Sequence, residues 1–293
     1  MVCATAEQGT GEGAIDLRQR LIRIVHMSDR EKYVASNKQA WNEAAPRHAA
    51  HNQAQLRERF AQGGYNCLAD EVISMLERVD VTGKSVVQVA CNNGKDLLSL
   101  KNMGAGRCLG IDQADAFLEQ ARDLAEIAGH AGEVSFTAAD VYDLPADLQG
   151  RFDIAMTTIG VLGWMPDLDG FFSAVSNLIV PGGHWVMEEM HPVLFMYEPD
   201  ENGGPSRLTH SYFHTDPFVE TTGLDYFGYE QYASNPHYSF THKISDIVNA
   251  GLKVGLELQH MHEVGHDISH FCADLERAEA RPPLGLYMLW RKK

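Results

Sequence analysis

The chain has 293 residues, 44% of them hydrophobic and 22% charged, with a net charge of −16 at neutral pH. That length can bury one full core with a cap, and no apolar run approaches the roughly 18 to 20 residues a membrane span needs. So acidic a chain would repel phosphate backbones, so the sequence predicts neither a membrane nor a nucleic-acid partner.

The opening residues, Met1 to Gly13, lack the basic start and apolar stretch of a secretory signal, which predicts a cytoplasmic location. Five scattered cysteines (Cys3, Cys67, Cys91, Cys108, Cys272) form no CxxC pair and read as buried thiols. Helical spacing of Ile15, Leu17, Leu21, Ile22, Ile24 and Val25 predicts a helix over 14–27. A second helix is expected over 33–52, with an odd polar and aromatic mixture that includes Tyr33, Asn37, Trp41 and His48. A third, over 53–78, should stop before the Asp80-Val81-Thr82-Gly83 turn.

From there short β-branched runs alternate with longer helical stretches, the signature of βαβ units and a parallel sheet. Strands are expected over 85–90, 108–112, 134–139, 153–158 and 184–189, with helices over 96–103, 114–128 and 168–178. Residues 193–242 break the rhythm and are dense in Tyr and Phe, so they read as a folded, β-rich insertion over the site. A helix over 244–250 and strands over 252–258 and 284–290 complete the core. The expected organisation is thus N-terminal helices and lid over 1–80, core over 81–192, aromatic-rich cap over 193–242 and the rest of the core over 243–293.

The first strand runs through Gln88-Val89-Ala90 into the tight turn Cys91-Asn92-Asn93-Gly94 and then a helix carrying Asp96. In an open α/β sheet a ligand sits where the first strand feeds such a turn. Asp112, followed by Gln113, ends the second strand, where a carboxylate can accept from two ribose hydroxyls. Asp140 and Val141 end the third, placed to meet an adenine ring. The G-x-G-x-x-G that a pyrophosphate needs is missing, since only Gly94 stands among Ala90, Asn92 and Asn93, so NAD is disfavoured.

Read together, Cys91 to Leu100, Asp140 to Pro145, Ile159 to Leu168, Pro181-Gly182-Gly183, His191-Pro192 and Thr241 to Ile244 resemble the class I S-adenosylmethionine-dependent methyltransferases, in a small-molecule branch. The resemblance runs from about Tyr33 to the carboxyl end. It implies a Rossmann-like, seven-stranded, mostly parallel α/β sheet in the order 3-2-1-4-5-7-6, S-adenosyl-L-methionine as cofactor, and a small-molecule metabolite as substrate, of the kind found in secondary metabolism. It further implies that the first turn, with Ala90, Asn92, Gly94 and Asp96, contacts the methionine moiety. Asp112 and Gln113 would meet the ribose, and Asp140 and Val141 the adenine. The family's acidic residue on the first strand is Gln88 here, which offers no charge to the cofactor's ammonium group, and two of its glycines are Ala90 and Asn92.

Methyl transfer requires aim and exclusion of water more than dedicated catalysts. Tyr33 and Trp41 are expected to cover the sulfonium with an aromatic face. Thr157 is expected at the cofactor rim, and His191 with Glu189 at the end of the fifth strand, His191 as general base. Trp164, His191, Tyr212, Tyr226 and Tyr229 are expected to line a pocket for an aromatic or heteroaromatic acceptor. The alternative role of the aromatic insertion is to cover a sheet edge or make a homodimer contact.

His262-Glu263-Val264-Gly265-His266 matches H-E-x-x-H, but that motif binds zinc only on a helix, and here it follows a predicted strand, so no metal is assigned. Two other uses of an adenosyl sulfonium stay open: transfer or cyclisation of its aminocarboxypropyl arm, and non-catalytic binding by a regulatory protein.

Overall fold

The computed structural model describes residues 28–200, 204–228 and 230–293. The helix expected over 14–27, Cys3 and Tyr229 lie outside the described residues. Helix α1, Asp29–His48, starts on a capping box in which the Ser28 side chain accepts from the Glu31 N–H while Glu31 reaches back to the Ser28 N–H. Pro46 removes a donor inside it, and the helix widens into a π-helical turn, Ala49–Gln53, before α2, Ala54–Ala61. The single helix expected over 53–78 is therefore two. Gly63 and Gly64, at φ +72° and +67°, turn the chain between α2 and α3, Asp70–Val79.

The core alternates β1 (Val86–Val89), α4 (Lys95–Asn102), β2 (Cys108–Asp112), α5 (Asp115–Ile127), β3 (Val134–Ala138), β4 (Phe152–Thr157), α6 (Leu168–Leu178) and β5 (Ile179–Met190). After an intervening segment come α7 (Ile244–Lys253), β10 (Leu256–Val264) and β11 (Gly285–Lys292). The seven-stranded sheet has the order β3-β2-β1-β4-β5-β11-β10. Strands β1 to β5 pair in parallel, and β11 runs antiparallel to both β5 and β10. This is the expected α/β, Rossmann-like sheet. The penultimate core strand begins at Leu256 rather than at Leu252, because α7 continues to Lys253 and Gly255, at φ +80°, ends it.

Period-two alternation divides the core between the two faces of the sheet. Val86, Met156, Val186 and Leu289 pack on one face with Leu76 of α3 and Leu97 of α4. Val87, Ala155, Trp185 and Trp290 pack on the other with Phe171 and Phe172 of α6 and Ile247 of α7. The segment between β5 and α7 forms two small antiparallel pairs, β6 (Tyr197–Glu198) with β7 (Arg207–Leu208), and β8 (Phe218–Thr222) with β9 (Ala233–Ser239). Strand β9 docks on α1: Asn37 Nδ2 donates to the Tyr238 carbonyl (2.9 Å) and Asn37 Oδ1 accepts from the Tyr238 N–H (2.7 Å). Among the described residues no helix is long and apolar enough to cross a membrane.

Candidate active site

At the carboxyl ends of the parallel strands lies a cavity of about 450 Å³, within the size range of sites for small ligands. The first turn reaches it in a conformation that glycine normally supplies: Ala90, Asn92 and Gly94 have φ of 54°, 50° and 72°. Ala90 and Asn92 thus adopt a backbone that favours glycine, at a cost of roughly 1–2 kcal/mol for an alanine in the left-handed region. Gly94 itself does not line the cavity. It caps α4, and a Cβ there would stand 2.9 Å from Phe136 Cε1.

Asp112 joins the tips of β1 and β2. Its Oδ2 accepts from the Asn92 N–H and its Oδ1 from the Ala114 N–H, each at 2.8 Å. Burial nonetheless pushes its carboxyl above the usual range. Asp140 accepts from the Tyr142 N–H (3.0 Å), which opens a short 3₁₀ turn and presents Val141 to the same space. Of the residues expected from sequence, Trp41, Ala90, Asn92, Asp96, Asp112, Gln113, Asp140, Val141, Trp164 and Tyr226 line this one cavity.

Its roof is aromatic. The Trp41 ring stands 5.1 Å from Trp164 and 5.9 Å from both Phe117 and Tyr226, and His48 meets Tyr226 at 4.8 Å and Phe227 at 5.0 Å. Asp225 holds the loop that carries Tyr226 and Phe227, accepting from the N–H groups of Phe227, Gly228 and Glu230. His48 donates through Nε2 to the Leu224 carbonyl (2.6 Å), and burial holds this ring below the ordinary histidine range.

Several expected residues lie elsewhere. Tyr33 does not line the cavity and packs at a tilt against Tyr238 and Phe240, with centroids at 4.6 and 5.4 Å, while its neighbour Val34 lines the cavity. Thr157 is buried beneath the floor and accepts from Trp185 Nε1–H (3.1 Å); Thr158, one residue on, lines the cavity. Tyr212 accepts from the Ile244 N–H at the start of α7. His191 is 3% exposed but does not line the cavity: its Nδ1 accepts from the Val193 N–H (3.1 Å) and its Nε2 binds Glu263 (2.8 Å). Burial outweighs Glu263 and lowers its pKa; with both ring nitrogens engaged, this histidine ties the loop after β5 to β10, away from the cavity wall where the base was expected. Glu189 accepts from the N–H groups of Gly160, Leu162 and Met190 at 2.7 to 2.8 Å and clamps the loop after β4. In the H-E-x-x-H string His262 and Glu263 belong to β10, where neighbouring side chains take opposite faces, so the shared helical face is not formed.

A charged corner joins the expected Asp96 to Glu188, on the strand expected to reach the rim, and to Lys95, Thr158 and Tyr287, which sequence reasoning missed. On β5, Glu188 points to the face opposite Glu189 and lines the cavity. Its cross-strand partner is Tyr287, whose hydroxyl donates to Glu188 Oε1 (3.2 Å). Burial and the charge of Asp96 push the Glu188 carboxyl up to about 7. Lys95 Nζ binds Asp96 Oδ1 (2.7 Å), the Thr158 hydroxyl donates to Asp96 Oδ2 (3.1 Å), and Gln88 Nε2 donates to Thr158 (3.3 Å). Burial opposes both charges of the Lys95–Asp96 pair, yet each holds the other ionised, with Asp96 below and Lys95 above its usual range. Gln88 is fully buried beneath the cavity rather than on its wall, and its Oε1 has no hydrogen-bond partner among the described residues.

Comparison with known proteins agrees with this geometry. Residues 86–183 match the family described as "Methyltransferase domain". A ubiquinone biosynthesis O-methyltransferase of Neisseria meningitidis serogroup C is 31% identical over 104 residues, 36% of this chain and 43% of that protein. A ribosomal protein L11 methyltransferase of Edwardsiella ictaluri is 30% identical over 107 residues, 36% of each chain. The chain therefore matches less than half the length of these curated relatives. The fold is shared with an S-adenosylmethionine-dependent methyltransferase from Mesorhizobium loti, with a TM-score of 0.55 at 22% identity over 76% of this chain and 98% of that one. It is shared too with a geranyl diphosphate C-methyltransferase from Streptomyces coelicolor A3(2), with a TM-score of 0.54 at 13% identity over 76% of this chain and 78% of that one. The segment from β1 into β5 is a methyltransferase domain. Its sheet has the fold of S-adenosylmethionine-dependent methyltransferases.

Proposed function

We propose that the chain is an S-adenosylmethionine-dependent methyltransferase that acts on a small-molecule acceptor with an aromatic or heteroaromatic face. The observation that carries this reading is the convergence of three successive strand tips, the Asn92 turn, Asp112 and Asp140–Val141, on one cavity. The donor set fits the cofactor. Asp112 has two carboxylate oxygens that accept from the Asn92 and Ala114 N–H groups and can also accept from ribose hydroxyls. Asp140 and Val141 border the place for a flat base, and the Asn92 turn lets a ligand approach the backbone.

When bound, the cofactor supplies an electrophilic methyl group on a sulfonium. The chain's own part is to bind, orient and exclude water. Trp41, Phe117, Trp164 and Tyr226 supply a ring-lined roof that suits both a sulfonium and a flat acceptor. Ile159, Tyr226 and Phe227 stay 42%, 50% and 47% exposed although they line the cavity, and this apolar rim supports an apolar, planar acceptor.

The test is incubation of purified protein with cofactor and a panel of phenolic and heteroaromatic metabolites, read by mass. The expected outcome is a mass gain of one methylene in an acceptor together with S-adenosylhomocysteine. Methylthioadenosine as the cofactor product would reject methyl transfer, and gain only on acyclic polar acceptors would reject the aromatic class.

A further inference from the structure

The replacement of the first-strand carboxylate by Gln88 leaves an adenosyl-sulfonium cavity short of one charge, and the sheet register shows where another stands. Gln88 pairs with Met156, Met156 with Val186 and Val186 with Leu289, which makes one row across β1, β4, β5 and β11. One pleat nearer the cavity, the same face carries Thr158, Glu188 and Tyr287, all of which line it. Lys95 and Asp96 at the start of α4 line the same corner.

Glu188 has the features of a ligand group awaiting a partner. It is 5% exposed, its Oε1 is occupied by Tyr287, and its Oε2 has no hydrogen-bond partner among the described residues. Because Glu188 lines the cavity, that oxygen is open to a donor on a bound ligand. Asp96 is not in that position, since Lys95 and Thr158 occupy both its oxygens. Lys95 spends one of its three ammonium donors on Asp96, its only hydrogen-bond partner through Nζ among the described residues. The corner therefore offers one free anionic acceptor and free cationic donors side by side, the complement of an α-amino acid.

We propose that this corner holds the amino-acid end of the cofactor, Glu188 Oε2 accepting from its ammonium and Lys95 Nζ donating to its carboxylate, so that β5 and α4 supply the charge β1 lacks. The assignment rests on the adenosyl-sulfonium reading of the cavity. Asp96 is then a positioning residue that fixes Lys95. The groups facing Glu188 are Asp96 and Lys95 from α4, Tyr287 from β11 and Glu71 from α3. Pairing with an ammonium favours its charged form, so below neutrality ligand binding expels a proton from this carboxyl.

The experiment is calorimetric titration with S-adenosylhomocysteine and with methylthioadenosine, which lacks the amino-acid end. Both are run at about pH 6.5 in buffers of different ionisation enthalpy. Wild-type protein is expected to release a fraction of a proton on binding the first ligand and none on binding the second. Glu188→Gln abolishes that release and weakens S-adenosylhomocysteine roughly tenfold or more, while methylthioadenosine changes by less than about twofold. Lys95→Met should show the same selectivity between the two ligands. Tyr287→Phe, which removes a donor to the carboxylate, keeps the proton release but moves it to higher pH, a shift that mere loss of packing would not give. Equal weakening of both ligands in Glu188→Gln, or proton release that persists in it, overturns the assignment. Failure of both ligands to bind wild-type protein instead overturns the reading of the cavity.

Discussion

Replacing Asp112 by Asn removes the charge that the proposed ribose site depends on while keeping the shape of the side chain. In the wild-type chain the two carboxylate oxygens accept backbone N–H groups at 2.8 Å, from Asn92 and from Ala114, and Asp112 lines the cavity, where it can accept further from a ligand. An amide can keep only one of those oxygens, and its NH₂ presents donors both to a backbone N–H and to a ribose hydroxyl. At least one charge-assisted hydrogen bond to the ligand is lost and the other weakened. Hydrogen bonds to charged groups contribute about 1.5–3 kcal/mol each, so the change should cost about 2–4 kcal/mol, or roughly 30- to 1,000-fold in Kd. Titration calorimetry with S-adenosylhomocysteine measures it, and thermal unfolding of the unliganded variant confirms that the turn survives. A folded variant that binds within about threefold of wild type would refute the ribose assignment and the hydrogen-bond count behind it.

Opposite outcomes are expected at two positions of the same turn: Ala90→Gly, which relieves a φ of 54°, should raise stability by up to about 1 kcal/mol, and Gly94→Ala should lower it by about 2 kcal/mol or more, both read by denaturant unfolding. Tyr33→Ala should leave S-adenosylhomocysteine affinity unchanged while lowering the melting temperature, because its ring packs on Tyr238 and Phe240; lost binding would return Tyr33 to the cofactor site. The Glu188 carboxyl titrates near 7 in the folded chain, above its unfolded value, so its contribution to stability is full at low pH and is lost as pH rises through about 7. Glu188→Gln, neutral throughout, should therefore gain on wild type by about 1–3 kcal/mol between about pH 5 and pH 8 in unfolding series, and a constant difference would contradict the burial of that charge.

The parallel core was legible because its signals are local. Buried runs such as Cys108–Asp112 and the amphipathic run Leu168–Leu178 carry their own boundaries, and three of the strand tips announce a ligand by ending in Ala-Cys-Asn-Asn, Asp-Gln and Asp-Val. The site residues that were misplaced depend on phase or on distant partners. Glu188 and Glu189 are adjacent on a strand buried on both faces, so composition does not tell which of them reaches the cavity. Thr157 and Thr158 pose the same choice. The rotation of α1, which puts Val34 on the cavity wall and Tyr33 off it, is set by Asn37 gripping Tyr238, a contact 201 residues away in sequence. His191 reads as a base until Glu263, from another strand, occupies its second nitrogen. Tyr287 becomes visible as part of the site only through its register against Glu188.

The most direct test of the account is a crystal structure of the chain grown with S-adenosylhomocysteine. It should show the ribose hydroxyls on Asp112, the adenine beside Asp140 and Val141, and the aromatic roof of Trp41, Trp164 and Tyr226 closed over the ligand. A ligand bound elsewhere, or a cavity filled by Tyr226 and Phe227 with the ligand excluded, would contradict it.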